Sequence, residues 1–402
     1  MMKYLILGAG PAGLSFAHAL LQKNKDADFL VLEAEEEAGG LCRSKQVNGT
    51  WVDTGGGHFL DVRRPEVNRF LFRFLPEEEW NRFDRDSRIA VHGQETGHPF
   101  EANIWQLDTD LQVEYLLSIA RAGCITGSAK PESFVDWITW KLGDKIAENY
   151  MLPYNRKMFG EALDTLGTYW LEKLPDVSFE ETLRSCLEHK PYGTQPGHAQ
   201  FFYPKAYGYG ELWRRMGEAL GEKLRCGQKV VAMDFETRTV TTAGGEQFTA
   251  DRIVTTIPWT SVRTFRGMPE ALQNHIKALK HTSVVIDYKD EHIDTQAHWI
   301  YYPDPALDYH RILVCRNFCG GNPGYWTETR GERFHGTPDG VSSFMNEYAY
   351  PLNTIEKPEM MRELLQWCGE KGMYGLGRWG EHEHFNSDLT VERGMQLAEE
   401  ME

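Results

Sequence analysis

Three glycines near the start of the chain have the spacing of a phosphate-binding turn. Gly8, Gly10 and Gly13 follow the apolar run at residues 4–7 and precede an apolar helical pattern. In this G-x-G-x-x-G arrangement the first glycine permits a tight turn, the second admits a pyrophosphate, and the third lets the helix pack closely on the strand. Free amides at the helix start then bind the phosphate. We therefore predict that this turn, with Pro11 and Ala12, binds a dinucleotide.

An acidic residue marks the ribose end of the same predicted site. Glu33 ends a second strand, DFLVLEA, twenty residues after Gly13, where a carboxylate can bind both ribose hydroxyls. Arg43 follows a second glycine pair, and a guanidinium is a good partner for a diphosphate. The alternative for Arg43 is a solvated surface cation. The predicted cofactor residues of this stretch are Glu33, Ala34, Gly40, Leu41 and Arg43.

The elements that must position these residues alternate along the chain. Residues 228–258 have the pattern of two strands, a Gly-Gly turn and a third strand, and strand patterns return over 281–350. Residues 65–225 have mostly helical spacing of apolar side chains. We predict an α/β fold, with a Rossmann-like nucleotide-binding domain formed by residues 1–64, 200–265 and 375–402. A mainly helical segment, 65–199, and an antiparallel-sheet segment, 266–374, would form the inserted substrate domain.

Charge and composition exclude several classes of function. The net charge of −16 argues against nucleic-acid binding, because phosphate backbones require a basic surface. No apolar run is long enough to span a bilayer, and the first apolar run is too short for a signal peptide, so we expect a cytoplasmic protein. The seven cysteines are scattered without a C-x-x-C pair, which predicts reduced thiols and no metal site. A metal or redox role for Cys315 and Cys319 is the alternative.

Two stretches resemble a large class of flavoproteins. EAEEEAGGLCRS and NGTWVDTGGGHF resemble the two-glycine element shared by amine oxidases, protoporphyrinogen oxidases, phytoene desaturases and UDP-galactopyranose mutases. The C-terminal stretch beginning GLGRWGEHEHFNSD resembles the closing FAD motif of that class, with Asp388 as the expected N-cap of a helix that begins beneath the flavin. The resemblance implies FAD as cofactor, contacted by Gly56, Gly57, His58, Val230, Val231, Arg378, Asp388, Leu389 and Thr390.

Further stretches resemble UDP-galactopyranose mutases, nearer the eukaryotic type. They are SFVDWITWKLGDKIAENYMLPYNRKMFG, RIAVHGQETGHPFEANI (a hairpin in that family), GGGHFLD, HWIYYPDPALDYHRILVCRNF and YAYP, and together they cover most of the chain in order. The resemblance implies a redox-neutral conversion of a nucleoside-diphosphate sugar between pyranose and furanose forms. In that family, reduced flavin acts as the nucleophile at the anomeric carbon.

The same resemblance implies roles for residues outside the cofactor site. Arg311 matches the arginine that binds the substrate diphosphate, and Tyr301 and Tyr350 match tyrosines that donate to phosphate. His58 matches a histidine beside the flavin, and Asn155 falls in a P-Y-N motif near the sugar nucleotide. A strand-edge surface arginine, half-buried core tyrosines and a structural histidine are the alternatives.

Four positions depart from the family pattern. Glu101 stands where a glutamine near the nucleotide is usual, and Phe318 and His384 stand where phosphate-binding tyrosines are expected. Lys173 lies near the expected place of a second arginine, and a lysine lacks the bidentate fork. The diphosphate site is therefore expected to be weaker than, or different from, the family pattern, and neither the base nor the sugar is assigned.

Two other functions stay open at this point. An FAD-dependent oxidoreductase of the amine oxidase or protoporphyrinogen oxidase type would need an apolar or aromatic cavity. A flavoprotein that serves only in binding or assembly would have an occluded flavin. No separate NAD(P)H motif is visible, so NAD(P)H as external reductant would share the substrate cavity. The sequence assigns no oligomeric state.

Overall fold

The structure, a computed structural model, describes residues 2–171, 176–193 and 199–401. Its strands are, in chain order, β1 Met2–Leu7, β2 Phe29–Leu32, β3 Ser44–Val47, β4 Thr50–Asp53, β5 Leu60–Asp61, β6 Trp80–Asp84, β7 Ser87–Val91, β8 Gln94–Gly97, β9 Gln200–Pro204, β10 Leu224–Arg225, β11 Val230–Asp234, β12 Thr239–Thr242, β13 Gln247–Thr255, β14 Thr264–Arg266, β15 His281–Lys289, β16 Trp299–Tyr301, β17 Arg311–Leu313, β18 Tyr325–Arg330, β19 Ser343–Pro351 and β20 Met373–Gly375. Its α-helices are α1 Pro11–Lys23, α2 Pro65–Leu71, α3 Thr109–Ala120, α4 Gly123–Thr126, α5 Phe134–Ile146, α6 Leu152–Phe159, α7 Phe179–Glu188, α8 Gly210–Glu218, α9 Glu270–Ala278, α10 Lys357–Glu370, α11 Gly377–Gly380 and α12 Ser387–Glu400.

The first sheet is the nucleotide-binding sheet that the sequence predicts. Its strands run in the order β10-β2-β1-β13-β12-β11-β14, and β20 pairs with β13. β1 lies parallel to both β2 and β13, so its apolar residues, such as Leu5 and Ile6, are fully buried. A parallel strand covered on both faces is expected to be continuously apolar, as β1 is. The Rossmann-like α/β fold class is therefore confirmed.

Two helices pack closely above this sheet and bring their first turns to the same place. A Cβ atom on Gly394 of α12 would lie 3.1 Å from the carbonyl oxygen of Ala12 and from the amide of Phe16 in α1. The absence of a side chain at Gly394 therefore permits the close contact between α1 and α12. The N-terminal turns of both helices line one large cavity, through Pro11 in α1 and Thr390 in α12.

The second sheet places the predicted substrate residues side by side. It has seven strands in the order β19-β15-β18-β17-β16-β7-β8, antiparallel except where β16 runs parallel to β7. In its register Tyr301 pairs with Arg311, and Arg311 pairs with Glu328 on the next strand. Three residues that are distant in the chain therefore form one row across the sheet.

The segment of residues 65–199 contains both helices and strands. α3, α5 and α6 share an apolar core, with a π-helical turn at Ala147–Met151 joining α5 to α6. Strands β6, β7 and β8 nevertheless lie inside residues 65–199, where the sequence predicts mainly helix. β6 pairs with β9 and β7 pairs with β16, each more than 100 residues away, and such distant pairing leaves little trace in local periodicity. The hairpin implied by the mutase resemblance is β7–β8.

The boundaries of the three predicted segments stay a prediction. α9 and α10 fall within residues 266–374, yet their apolar residues, including Leu272, Ile276 and Leu364, pack in the same cluster as Leu5 of β1.

None of the described helices is long and apolar enough to cross a bilayer. The seven cysteines are all unpaired, and the described residues hold no group of three or more His, Cys, Asp or Glu side chains suited to a metal ion.

Candidate active site at the junction of two cavities

Two cavities meet between the two sheets. The larger has a volume of about 740 Å³ and runs along the first turns of α1 and α12. The smaller has a volume of about 210 Å³ and lies against the seven-stranded sheet. His58, Arg378 and Ser387 line both cavities and therefore mark their junction.

The glycine turn leaves an open surface of backbone in the large cavity. A Cβ atom on Gly13 would lie 2.0 Å from the carbonyl oxygen of Gly8, so no larger residue fits this contact between helix and strand. Gly10 and Gly40 face each other, since a Cβ atom on Gly40 would lie 3.2 Å from the Cα atom of Gly10. α1 begins at Pro11 with Gly10 as N-cap, has no side-chain cap and has no acidic residue in its first turn. These features leave its amides and its positive helix end available to an anion.

One end of the large cavity is formed by a buried carboxylate. Glu33 is 7% exposed, and its two oxygens accept hydrogen bonds from the amides of Ala9 at 2.7 Å and of Glu35 at 2.9 Å. Burial raises the pKa of Glu33, while these backbone amides oppose that shift. Each carboxylate oxygen keeps a second lone pair, so Glu33 can still accept from ribose hydroxyls.

Arg43 lies at the rim of the same cavity rather than free in solvent. Its Nε donates to the carbonyl oxygen of Gly40 at 3.0 Å, and its Nη1 forms a 2.9 Å ion pair with the exposed carboxylate of Glu35. Val230 forms part of the cavity wall, whereas Val231 does not. β11 is irregular at this point, because its pairing with β12 shifts between Val230 and Ala232.

The large cavity fits the group that the resemblance implies. Its volume lies within the range of about 300–1,000 Å³ typical of ligand and cofactor sites. Its glycine cradle, helix N-terminus and rim arginine suit a diphosphate, and Glu33 suits a ribose. The predicted cofactor residues that line it are Gly8, Gly10, Pro11, Ala12, Glu33, Ala34, Gly40, Leu41, Arg43, His58, Val230, Arg378 and Thr390.

Six predicted cofactor residues do not line the large cavity. Gly13 acts through packing, Gly57 lines the small cavity instead, and Gly56, Val231, Asp388 and Leu389 are also absent from the wall. The expectation that Asp388 caps α12 is wrong. The N-cap is Asn386, and the carboxylate of Asp388 pairs with Arg64 at 2.7 Å. The cation Arg64 comes from the segment before α2, and its ion pair holds the buried carboxylate of Asp388.

Arg378 supplies a buried positive charge where the cavities meet. Its Nε and Nη2 donate to the carbonyl oxygen of Phe385 at 3.0 and 2.8 Å, and its Nη1 donates to that of Ala349 at 3.2 Å. Burial lowers the pKa of this guanidinium, and its hydrogen-bond partners in the structure are neutral carbonyls. Arg378 therefore presents a net positive charge to both cavities.

His58 is held as a neutral side chain at the same junction. Its Nδ1 lies 3.0 Å from the carbonyl oxygen of Gly56, and since a carbonyl only accepts, Nδ1 carries the proton. Burial and the charge of Arg378 lower the pKa of His58 to about 4. At neutral pH its Nε2 is therefore an unprotonated acceptor.

The small cavity contains a buried ion pair. Arg311 and Glu328 line it, and the Nε of Arg311 donates to Oε2 of Glu328 at 2.9 Å. Glu328 is 1% exposed, and its Oε1 accepts from the amide of Gly57 at 3.0 Å. Burial by itself would raise the pKa of Glu328, but Arg311, His310 and the Gly57 amide outweigh it and hold the pKa well below its usual range. Both groups of the pair are therefore charged.

A tyrosine in this cavity keeps a hydrogen to donate. The hydroxyl oxygen of Tyr301 accepts from the indole of Trp299 at 2.9 Å and from Nη2 of Arg85 at 3.2 Å. Both lone pairs of the oxygen are then used, so its own hydrogen is left for a ligand acceptor. The guanidinium of Arg85 also lies over the Trp299 ring, 4.7 Å from its centre.

Tyr350 and His384 complete the wall as a ring pair. Their centroids lie 4.9 Å apart, and both residues line the small cavity. Burial raises the pKa of the Tyr350 phenol, so its hydroxyl stays protonated and can donate.

Three other predicted substrate residues, Asn155, Phe318 and Glu101, do not line the small cavity. Asn155 is 7% exposed, and its amide donates back to the carbonyl of Met151 within the helix. Phe318 is a core residue, with its ring 4.9 Å from that of Tyr203. Glu101 is half-buried away from both cavities, and burial raises its pKa. Lys173 lies outside the described residues.

Three residues of the site are missed by the sequence analysis. Arg85 brings a third arginine to the small cavity, Glu328 brings the carboxylate, and Ser387 lines both cavities. Ser387 could have been found as the first residue of the predicted C-terminal helix. Arg85 and Glu328 have no local signal, since each is one charged residue in a short strand or turn.

Comparisons with known proteins give a family and a fold. The family model described as flavin containing amine oxidoreductase matches residues 11–286. A crystal structure of reduced UDP-galactopyranose mutase has a TM-score of 0.90 and 22% identity, covering 99% of this chain and 95% of that one. Cyclohexylamine oxidase from Brevibacterium oxydans IH-35A has a TM-score of 0.66 and 15% identity, covering 100% and 98%. An uncharacterized protein in the nifH2 3' region of Methanothermococcus thermolithotrophicus is 44% identical over 98 residues, 22% of this chain and 93% of that protein.

Proposed function

The chain belongs to the flavin-containing amine oxidoreductase family, and on that premise we propose that it binds FAD and interconverts the pyranose and furanose forms of a nucleoside-diphosphate sugar. The observation that carries the proposal is the cationic wall of the small cavity. Arg85, Arg311 and Arg378 all line it, and a diphosphate is the ligand that such a wall suits.

The residues proposed to hold FAD are those of the large cavity. Glu33 would bind the ribose, and Gly10, Gly40 and the first turn of α1 would bind the diphosphate. Arg378 would face the other end of the cofactor, since it lies where the cavities meet. In its reduced form, FAD supplies an electron pair that can attack an electrophilic carbon.

The protein would contribute by stabilising the charge that develops on the departing diphosphate. Nε and Nη2 of Arg311 are used by Glu328, which leaves three guanidinium hydrogens for phosphate oxygens. Tyr301 would donate its free hydroxyl hydrogen, and Tyr350 would donate beside it. Preorganised donors of this kind act most strongly in a site from which water is excluded.

His58 would leave the cationic field undisturbed. Because its pKa is about 4, it adds no charge at neutral pH, and its Nε2 can accept a hydrogen bond from a sugar hydroxyl. Its position at the junction of the cavities supports a place between cofactor and substrate.

The size of the small cavity favours a second candidate function. A volume of about 210 Å³ is below the range of about 300–1,000 Å³ typical for drug-sized ligands, and Phe59 and Trp299 add aromatic surface. These features suit the FAD-dependent oxidation of a small molecule. The three arginines would repel an ammonium group, however, so this candidate would require a neutral or anionic substrate.

Product analysis separates the two candidates. Protein loaded with FAD and reduced with dithionite would be incubated without oxygen with UDP-, GDP- and dTDP-hexoses, and the products would be separated by chromatography. The proposal expects conversion of a pyranose to a furanose with no net consumption of reductant, and none with oxidised protein. Oxygen uptake with a small substrate and no isomerised sugar would favour the oxidase. Protein that takes up no flavin would refute both.

NAD(P)H is proposed as the external reductant. Bleaching of the flavin absorbance by NADPH or NADH under anaerobic conditions, inhibited by the sugar nucleotide, would support entry through the substrate cavity. Bleaching that the sugar nucleotide does not inhibit would place the reductant elsewhere.

A further inference from the structure

Glu328 joins two parts of the site that the proposed function treats separately. It lies on β18 in the seven-stranded sheet, with Arg311 directly opposite on β17. On its other side is the glycine loop formed by residues 55–58, which separates the two cavities at His58. With 1% exposure, Glu328 is almost closed off from solvent.

The two carboxylate oxygens of Glu328 face different partners. Oε2 accepts from Nε and Nη2 of Arg311, and the Nε2 of His310 lies 3.7 Å from the same oxygen. Oε1 accepts from the amide of Gly57 at 3.0 Å. A Cβ atom on Gly56, whose φ is +94°, would lie 2.9 Å from Oε1, so the loop backbone lies directly against this oxygen. One rigid side chain therefore contacts both the arginine and the loop.

We propose that Glu328 is a positioning residue that fixes Arg311 and the glycine loop in one mutual geometry, so that occupation of the diphosphate site and the state of the flavin are coupled. The proposal rests on the proposed function for its ligands. It adds a physical connection between the two sites, made of two hydrogen-bonded contacts to one carboxylate.

The carboxylate is the side-chain group that this arrangement requires. Both neighbours are donors, and a carboxylate accepts on both oxygens, whereas an amide must turn its NH₂ group toward one of them. The connection also sets which edge of Arg311 is free. With Nε occupied by Glu328, the outer edge of the guanidinium is left for a phosphate.

A double-mutant cycle on the flavin reduction potential tests the connection without any substrate. The proteins are wild type, E328Q, R311Q and E328Q/R311Q, each loaded with FAD. If Glu328 transmits the position of Arg311 to the loop, the two single shifts do not add. We expect a coupling of about tenfold or more between the sites, which corresponds to about 30 mV for a two-electron couple. Additive shifts would overturn the proposal.

Two further variants separate position from charge. E328D keeps the charge but is one methylene shorter, so it cannot reach both partners. We expect R311Q to change the potential much less in the E328D background than in the wild-type background, while the potential of E328D itself stays nearer to that of wild type than to that of E328Q. E332Q is the matched control, because Glu332 is 78% exposed on the same segment and pairs only with Arg330. An R311Q shift that is as large in the E328D background as in the wild-type background would also overturn the proposal.

Ligand binding is measured in parallel and reports on the proposed function. Dissociation constants of UDP and GDP are measured by calorimetry for oxidised and reduced protein. In wild type and E332Q we expect the two redox states to differ in affinity, and in E328Q we expect this ratio to approach one. If wild type binds neither nucleotide, the proposed function fails, and the cycle on the potential still decides the role of Glu328.

Discussion

Removal of Arg311 should destabilise the protein before it affects any ligand. R311A leaves the carboxylate of Glu328 buried at 1% exposure without its cation. Breaking a buried ion pair by deleting one partner costs about 3–5 kcal/mol, because the remaining charge is uncompensated. For a chain of 402 residues, an unfolding entropy of about 2.1 cal/mol/K per residue gives a slope of about 0.8 kcal/mol per degree. The expected fall in Tm is therefore about 4–6 °C at neutral pH.

Two variants determine whether the buried carboxylate is the cause. R311A/E328Q removes the charge of Glu328 as well and should recover most of the lost stability. R362A removes an arginine from an exposed ion pair with Glu359, whose two side chains are 60% and 65% exposed, and should leave Tm nearly unchanged. Thermal unfolding followed by circular dichroism measures all four proteins. A loss in R311A no larger than that in R362A, or one that E328Q does not reverse, would refute the reasoning.

The pH dependence of stability supplies an independent check, because folding shifts the pKa of Glu328 in opposite directions in wild type and in R311A. In wild type the pKa of Glu328 is lowered by folding, so its stabilising contribution is present above the unfolded pKa and is lost as the pH falls. In R311A burial dominates and the folded pKa is raised, so the protonated form is tolerated and the deficit relative to wild type shrinks in acid. His310, the Gly57 amide and Tyr350 also face this carboxylate, and protonation of His310 would reduce the deficit further.

The double variant also isolates the role of Arg311 in binding. Because R311A/E328Q should fold, its loss of nucleotide affinity relative to E328Q reflects the missing guanidinium. Charge-assisted hydrogen bonds contribute about 1.5–3 kcal/mol each, so losing at least two should weaken UDP or GDP binding by about 100-fold or more. Bound flavin should be retained, as measured by its absorbance per protein. Unchanged nucleotide affinity would remove Arg311 from the proposed diphosphate site.

Three further outcomes are expected. G13A should lose FAD and stability, because its Cβ would lie 2.0 Å from the Gly8 carbonyl oxygen, whereas G244A, with its nearest neighbour at 3.8 Å, should retain FAD absorbance. Between pH 6.5 and 4, the Tm of H58N should fall less than that of wild type. The reason is that the lowered pKa of His58 makes acid favour the unfolded chain of wild type. An equal fall in Tm in the two proteins would contradict this. Y350F should weaken nucleotide binding, measured by calorimetry, about two- to tenfold, since one hydroxyl donor contributes about 0.5–1.5 kcal/mol. Its Tm should equal that of wild type. Unaltered nucleotide affinity would remove the Tyr350 hydroxyl from the site.

The lining of the large cavity around the glycine turn was predictable because it is local in sequence. Gly8, Gly10 and Gly13 act within one turn, and Glu33 follows at the end of the next strand, so spacing along the chain corresponds to spacing in space. The start of α12 was predicted to within two residues, but its cap was not. Asp388 is a good N-cap by type, yet Arg64, more than 300 residues away in the chain, draws its carboxylate away from the helix end.

The substrate end was predicted only where the resemblance supplied a residue. Arg311, Tyr301 and Tyr350 do line the small cavity, whereas Phe318 and Asn155 belong to the core. Which face of an element turns inward depends on the surfaces that pack against it. Periodicity alone could not distinguish a core phenylalanine from a residue of the cavity wall.

The sequence by itself determined the glycine turn and the acidic residue that follows it, because both act through backbone geometry encoded within a few consecutive residues. Only the tertiary structure decided the composition of the second cavity. Arg85, Arg311 and Glu328 come from separate stretches, and strand pairing across the seven-stranded sheet together with the packing of neighbouring segments brings them to one place. A charge in an isolated strand carries no local sign of its partner, so the ion pair and its contact with the glycine loop exist only in the folded chain.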